Sequence, residues 1–345
     1  MRWIANQLLV VLKAVAAVAA LSSFVPAAAA EPIRQAWFTQ FIPFIPEPQL
    51  VKPYQRPMRR AKTEIIEFNS APFPYEGTVP KTDQPFLNVA ADGRLGHRSF
   101  SGNVHWQDET YFDSRVLLHV PKGFDIRRPG LVVLFFHGHG ATLKRDVLKR
   151  QRVAEQISRS GINAVLVAPQ LAFDAADSSI GKLWQTGGCR RLLDEASGHL
   201  AEMLGGKGAE ADFLKMPIVI VGYSGGYVAA ANCLRRGKLG NRVRGVVLLD
   251  GLYGEMQTFE SWLTHNRSGF FVSSYTGYTA SNNARLRQTL EDDSIATAEF
   301  LAPELAKGSV VFLATSQATH RQYVNAAWRE NPIADILQRA HQFVR

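Results

Sequence analysis

A serine flanked by glycines, Gly222-Tyr223-Ser224-Gly225-Gly226, directly follows the apolar run Ile218-Val219-Ile220-Val221 and directly precedes the alanine-rich Tyr227-Val228-Ala229-Ala230-Ala231. The five-residue string carries little weight alone. Between a strand and a helix, however, it predicts a nucleophile elbow, where the turn exposes the serine hydroxyl and small flanking residues let strand and helix approach closely. A second chemistry-bearing turn, His137-Gly138-His139-Gly140-Ala141, follows the apolar run that ends at Phe136. There the backbone N–H near His139, with that of Gly225, would meet an oxyanion developing on a substrate carbonyl. His137 and His139 are read as turn and core residues rather than bases.

On Gly222-Tyr223-Ser224-Gly225-Gly226, on His137-Gly138-His139-Gly140 and on their order, the chain resembles the α/β-hydrolase superfamily, from about Arg115 to Arg345. The resemblance implies a triad in the order serine, acid, histidine, with the histidine after the last strand. His320 follows the apolar Ser309-Val310-Val311-Phe312-Leu313-Ala314, whereas His341 lies near the end of the chain and His265 lies soon after Asp250. The usual place for the acid is empty, since Ser274 to Leu290 holds no Asp or Glu. Asp250, closing Gly245-Val246-Val247-Leu248-Leu249, is the expected acid, ahead of Glu255 and of an asparagine substitute at Asn282 or Asn283. A turn-capping role is the alternative for Asp250. These assignments imply acyl transfer, with Ser224 as nucleophile, His320 as proton carrier, Asp250 orienting the imidazole, and neither metal nor organic cofactor required. Tyr223, Gln170, Lys182 and Trp184 are the expected substrate contacts, the last three because they fall at or just beyond a strand end.

Elements that position these residues are legible as short apolar runs alternating with helical stretches. Strands are predicted at Glu64–Phe68, Arg115–Val120, Leu131–Phe136, Asn163–Ala168, Ile218–Val221, Val243–Leu249, Gly269–Ser274 and Ser309–Ala314. Helices are predicted at Thr142–Ser160, Arg190–Leu204, Gly226–Arg236 and Asn325–Phe343. Near-continuous Val, Leu, Ile and Phe in the strands predicts an α/β fold of three layers, a mostly parallel sheet of about eight strands with helices on both faces.

The chain has 345 residues, 46% hydrophobic and 20% charged, which excludes disorder throughout. Residues 1–30 read as a cleaved export signal: Arg2, an apolar stretch from Leu8 to Val25 interrupted by Lys13, then Pro26 and four alanines. No later stretch spans a membrane, so a periplasmic or secreted location is expected. Ten of the seventeen prolines fall between Pro32 and Pro85, and residues 31–62 are expected to be an extended arm before a single domain at 63–345. Net charge is +9, of which the signal carries Arg2 and Lys13. The basic residues are scattered rather than gathered with aromatics, which argues against nucleic acid. Two cysteines, Cys189 and Cys233, form no metal site by themselves, and whether they pair is left open. An esterase acting on a small or envelope-derived ester is the leading function, ahead of an amidase or peptidase with the same triad, and of an inactive domain serving as an envelope binding module.

Overall fold

The computed structural model describes residues 57–99, 101–316 and 318–344. The expected export signal, and the proline-rich arm up to residue 56, lie outside the described residues. The end of that arm is joined to the domain: the Met58 N–H donates to the Phe124 carbonyl at 2.9 Å and the Gly123 N–H to the Met58 carbonyl at 2.8 Å.

Eight strands make one sheet: β1 (Lys62–Glu67), β5 (Arg115–Val120), β6 (Leu131–Phe136), β7 (Ala164–Pro169), β8 (Ile218–Tyr223), β9 (Val243–Leu249), β10 (Phe270–Tyr275) and β11 (Val310–Ala314). Their order is β1-β5-β7-β6-β8-β9-β10-β11. Only β5 runs against its neighbours, pairing antiparallel with β1 and β7; every other pair is parallel. Each predicted strand is present. The physical reason is visible in β6, where Val132, Leu134 and Phe136 enter the core on one face while Leu131, Val133 and Phe135 enter the core on the other. A strand covered on both faces must be apolar at every position, and this is the signal the sequence carried.

Two predicted helices are broken. Thr142–Ser160 divides into Leu143–Arg150 and Val153–Arg159, with Arg152 between them at a left-handed φ of 52°. Asn325–Phe343 divides at Asn331, φ 57°, so that Pro332 opens the helix Pro332–Arg339. Proline is well placed in a first helical turn, where its missing N–H costs nothing.

The segment between β1 and β5 builds a structure of its own. β2 (Val89–Ala91), β3 (Arg94–Arg98) and β4 (Val104–Trp106) form a three-stranded antiparallel sheet. Phe73, Tyr75, Phe86 and Tyr111 make a separate aromatic core with Ala172 and Ala175, against which Trp184 packs. The chain leaves and rejoins the large sheet at one place, where the Phe68 N–H donates to the Ser114 carbonyl at 2.9 Å. Cys189, in the helix Gly188–Met203, is disulfide-bonded to Cys233, in the helix Tyr227–Arg236. Among the described residues, no helix is long and apolar enough to cross a membrane, and no group of three or more His, Cys, Asp or Glu side chains is placed to hold a metal ion.

Candidate active site

Ser224 directly follows β8 and opens the tight turn that leads into the helix Tyr227–Arg236. Its φ is 50°, a left-handed backbone that costs a non-glycine residue on the order of 1–3 kcal/mol and persists only when the surroundings enforce it. Two glycines allow the packing that does so. A side chain at Gly226 would run into the Phe136 carbonyl of β6, and a Cβ at Gly138 would lie 2.7 Å from the Ser224 Cβ.

Three side chains from three strand ends converge here. The Ser224 Oγ is 2.9 Å from His320 Nε2, and His320 Nδ1 is 2.7 Å from Asp250 Oδ2. An ionised carboxylate only accepts, so the imidazole carries its proton on Nδ1 and turns the Nε2 lone pair to the serine hydroxyl. Asp250 is fully buried. Its Oδ1 accepts from the Thr276 N–H at 3.0 Å and the Thr279 hydroxyl at 3.0 Å, and its Oδ2 accepts from the Thr276 hydroxyl at 2.8 Å. Burial by itself would raise the carboxyl pKa, but the hydrogen bonds from His320, Thr276 and Thr279 outweigh it and hold the group below the ordinary carboxylate range. Asp250 also takes a left-handed backbone, φ 44°, at the end of β9.

Tyrosines surround the imidazole. Tyr223 stacks on His320 with ring centroids 5.2 Å apart and donates its hydroxyl to the His320 carbonyl at 2.7 Å, while Tyr253 and Tyr278 meet the ring edge-on. Burial pushes the Tyr223 phenol up to about 12, so it stays a neutral donor. A cavity of about 900 Å³ opens over Ser224 and His320, with Tyr223, Tyr227 and Tyr253 in its wall. Its charged side is made by Arg145, Arg150 and Arg321 with Asp146 and Asp174. The buried Asp146 carboxylate holds both Arg145 and Arg150.

His139 and Gly225 both line this cavity, and the His139 N–H has no acceptor among the described residues. The His139 ring packs against Gly225, with Nε2 at 2.6 Å from the Ser178 hydroxyl. Burial lowers its pKa despite the nearby Asp177.

Gln170 and Lys182 require correction as expected substrate contacts. Gln170 is fully buried: its carboxamide donates to His137 Nε2 at 2.9 Å and to the Ala141 carbonyl at 3.0 Å, and accepts from the Leu143 N–H at 2.9 Å. It braces the turn from behind. Lys182 donates to the Asn69 carbonyl at 2.8 Å, away from the cavity. Trp184 lines a neighbouring cavity instead. The rival acids and bases are engaged elsewhere: Glu255 with Arg235, Asn282 with the Leu252 carbonyl, Asn283 with Ser273, His265 with the Ser261 carbonyl and His341 with the Gln338 carbonyl. Sequence reading missed Ser178, Arg145, Arg150, Arg321 and the two threonines that hold Asp250. Ser178 lies in the loop singled out for Lys182 and Trp184; the arginines carry no spacing signal.

His137 is buried, donating from Nδ1 to the Gly138 carbonyl at 2.8 Å and accepting at Nε2 from the Leu171 N–H at 2.9 Å and from Gln170. Protonating Nε2 would set it against two donors, and burial drives its pKa from 6.5 down to about 4. His119, buried between Thr63 and Ser158, falls to about 4 for the same reason. Between pH 4 and 6.5 the unfolded chain therefore binds protons that the folded chain does not, so stability rises with pH across that window. It is fully present above the ordinary histidine value and lost on acidification, by about 3 kcal/mol at most per histidine. Urea midpoints measured at pH 7.5, 6, 5 and 4.5 should fall steadily; a level series would contradict the neutral, buried state of these rings.

Strand order, a single reversed strand next to the edge, an elbow after β8 and the chain order Ser224, Asp250, His320 now stand together. The chain has an α/β-hydrolase fold. No family model matches the chain, and no curated protein matches it. Among solved structures, it is similar to an IroE-like serine hydrolase from Shewanella oneidensis (12% identity, 82% of this chain and 80% of that one covered, TM-score 0.43). It is also similar to the feruloyl esterase module from Clostridium thermocellum (14%, 78% and 96%, 0.42) and to an S-formylglutathione hydrolase from Agrobacterium tumefaciens (13%, 74% and 95%, 0.38). At those values the likeness bears on neither the substrate nor the role of any residue.

Proposed function

We propose that the protein is an exported serine hydrolase that cleaves carboxylic esters through an acyl-enzyme on Ser224. The observation that carries this reading is the continuous relay from Ser224 Oγ to His320 to the buried Asp250, at 2.9 and 2.7 Å. As the Ser224 Oγ attacks the ester carbonyl, His320 Nε2 takes the hydroxyl proton and then delivers it to the departing alkoxide, leaving the acyl group on the serine. Water then enters by the same route in reverse: His320 takes its proton, the hydroxide attacks the acyl carbon, and Ser224 leaves with the proton returned. Asp250 keeps Nδ1 protonated and faces the imidazolium that forms in each half. The backbone N–H groups of His139 and Gly225 are the donors for the oxyanion, in a position where fixed dipoles need no rearrangement.

Fluorophosphonate labelling of the purified protein, with peptide mapping beside Ser224→Ala, tests the reading. A label on Ser224 and none on the alanine variant is expected. A folded wild-type protein that takes no label would overturn it.

The disulfide between buried Cys189 and Cys233 supports export, since such bonds persist in oxidising compartments. Together with the apolar segment and alanines ahead of residue 31, it favours a periplasmic or secreted enzyme. Cell fractionation with N-terminal sequencing should recover the protein outside the cytoplasm beginning near Glu31; a cytoplasmic full-length chain would refute this.

A further inference from the structure

A second cavity, of about 570 Å³, lies beside the first, and the two share His139, Ser178 and Tyr227 in their walls. They are adjoining lobes that meet at these side chains, two of which are joined by the hydrogen bond between His139 Nε2 and the Ser178 hydroxyl. One wall of the second lobe comes from the hydrolase sheet's own connections, through Trp184 and Val228. The other comes from the segment between β1 and β5, through Val79, Gln84, Asn88 and the turn after β3. The lobe therefore exists only because that segment folds back over the site.

We propose that this second lobe is a substrate subsite that holds an uncharged, ring-sized, hydroxyl-bearing part of the ester whose carbonyl reacts at Ser224. The inference rests on the acyl-transfer reading above and specifies its substrate. Size excludes a short acyl or alkoxy group as the intended occupant, because a volume of several hundred Å³ is the scale of a substituted ring rather than of an acetyl group. The apolar surfaces of Trp184, Val79 and Val228 suit the faces of a ring. Neutral donors and acceptors complete the lobe: the Gln84 carboxamide and the Asn88 amide nitrogen have no partner among the described residues. Ser99 and Ser101 add two hydroxyls, bonded to each other at 2.9 Å.

Charge argues for a neutral occupant. Arg98 and Asp177 both line the lobe, so an anion or a cation would meet one partner and one opponent. Arg98 donates to the Gly102 carbonyl at 3.0 Å and Asp177 accepts the Tyr111 hydroxyl at 2.9 Å. Hydroxylated rings reach such a site from two sources, phenolic compounds and sugars, which share a flat or puckered apolar face and a rim of hydroxyls.

The test compares kcat/KM for three esters: vinyl acetate, methyl 3-(4-hydroxyphenyl)propionate and 6-O-acetylglucose. The wild type is expected to favour one of the two ring esters over vinyl acetate by tenfold or more, and the winner names the source. Gln84→Trp and Ser101→Trp place an indole in the lobe from two exposed positions that line the second lobe and not the cavity over Ser224. Each should reduce kcat/KM for the preferred ring ester at least tenfold, chiefly through KM, while vinyl acetate turnover and fluorophosphonate labelling stay within twofold of wild type. A wild type with no preference for either ring ester, or variants that lose all three esters equally or none, would overturn the subsite while leaving the hydrolase reading intact. A wild type that neither labels nor turns over vinyl acetate would instead remove that reading, and the subsite with it.

Discussion

Asp250→Asn should lower kcat on any ester by about 10⁴-fold while the protein stays folded. The size of the loss follows from which atoms the carboxylate serves. Oδ1 accepts from the Thr276 N–H and the Thr279 hydroxyl, and a backbone N–H cannot reverse its direction. An asparagine at 250 must therefore leave its carbonyl on that side and turn its NH₂ toward His320 Nδ1. The imidazole, now accepting at Nδ1, moves its proton to Nε2 and has no lone pair left for the Ser224 hydroxyl. Geometry survives and the base is lost. Steady-state kinetics beside a thermal unfolding curve checks this, and activity within tenfold of wild type would take Asp250 out of the relay.

Replacing both cysteines by alanine should cost about 4 kcal/mol of stability, from the chain entropy released when a loop of this length opens. Cys189 and Cys233 are 44 residues apart, and the loop they close contains β8, the Ser224 turn and most of the helix behind it. Both side chains are buried, so alanine leaves no stranded hydroxyl where serine would. Urea unfolding of the double variant, and of the wild type under reductant, should show the same loss; a change below about 1 kcal/mol would mean that the reduced chain is already restrained. Activity at low temperature should persist, because neither sulfur touches the relay.

β6, β7 and β8 are legible in the sequence because each is buried at every position and reads as an unbroken apolar run, whereas the edge strand β1 is exposed or half-buried along its length and shows only Ile65 and Ile66. β2, β3 and β4 are not legible, because strands of three to five residues with mostly exposed or half-exposed side chains leave no periodic pattern. The helix break at Arg152 is hidden for another reason, since the residue adopts left-handed backbone without being glycine, whereas the break at Asn331 is marked in the sequence by Pro332. At the site, Ser224 is marked by its glycines, and Asp250 by its place closing β9 together with the absence of any acid from Ser274 to Leu290. Gln170 misled because a polar residue closing a buried strand looks the same whether it faces a cavity or, as here, the back of the His137 turn. Thr276 and Thr279, which set the orientation of Asp250, carry no signal that distinguishes them from surface threonines.

The single hydrogen-bonded pair at Phe68 and Ser114 has a consequence for engineering. β1 and β5 are antiparallel neighbours, with Glu67 opposite Arg115, so a two-residue turn would suffice to join them. Everything between is a cassette with adjacent ends. A designer can lengthen it, shorten it or trade it for another without re-registering a strand of the large sheet. On the subsite proposal, reaction type and choice of molecule sit on separate pieces of the chain, and a graft at residues 68 and 114 would move the second provided that it also restores the contacts to Phe173, Asp177 and Lys182.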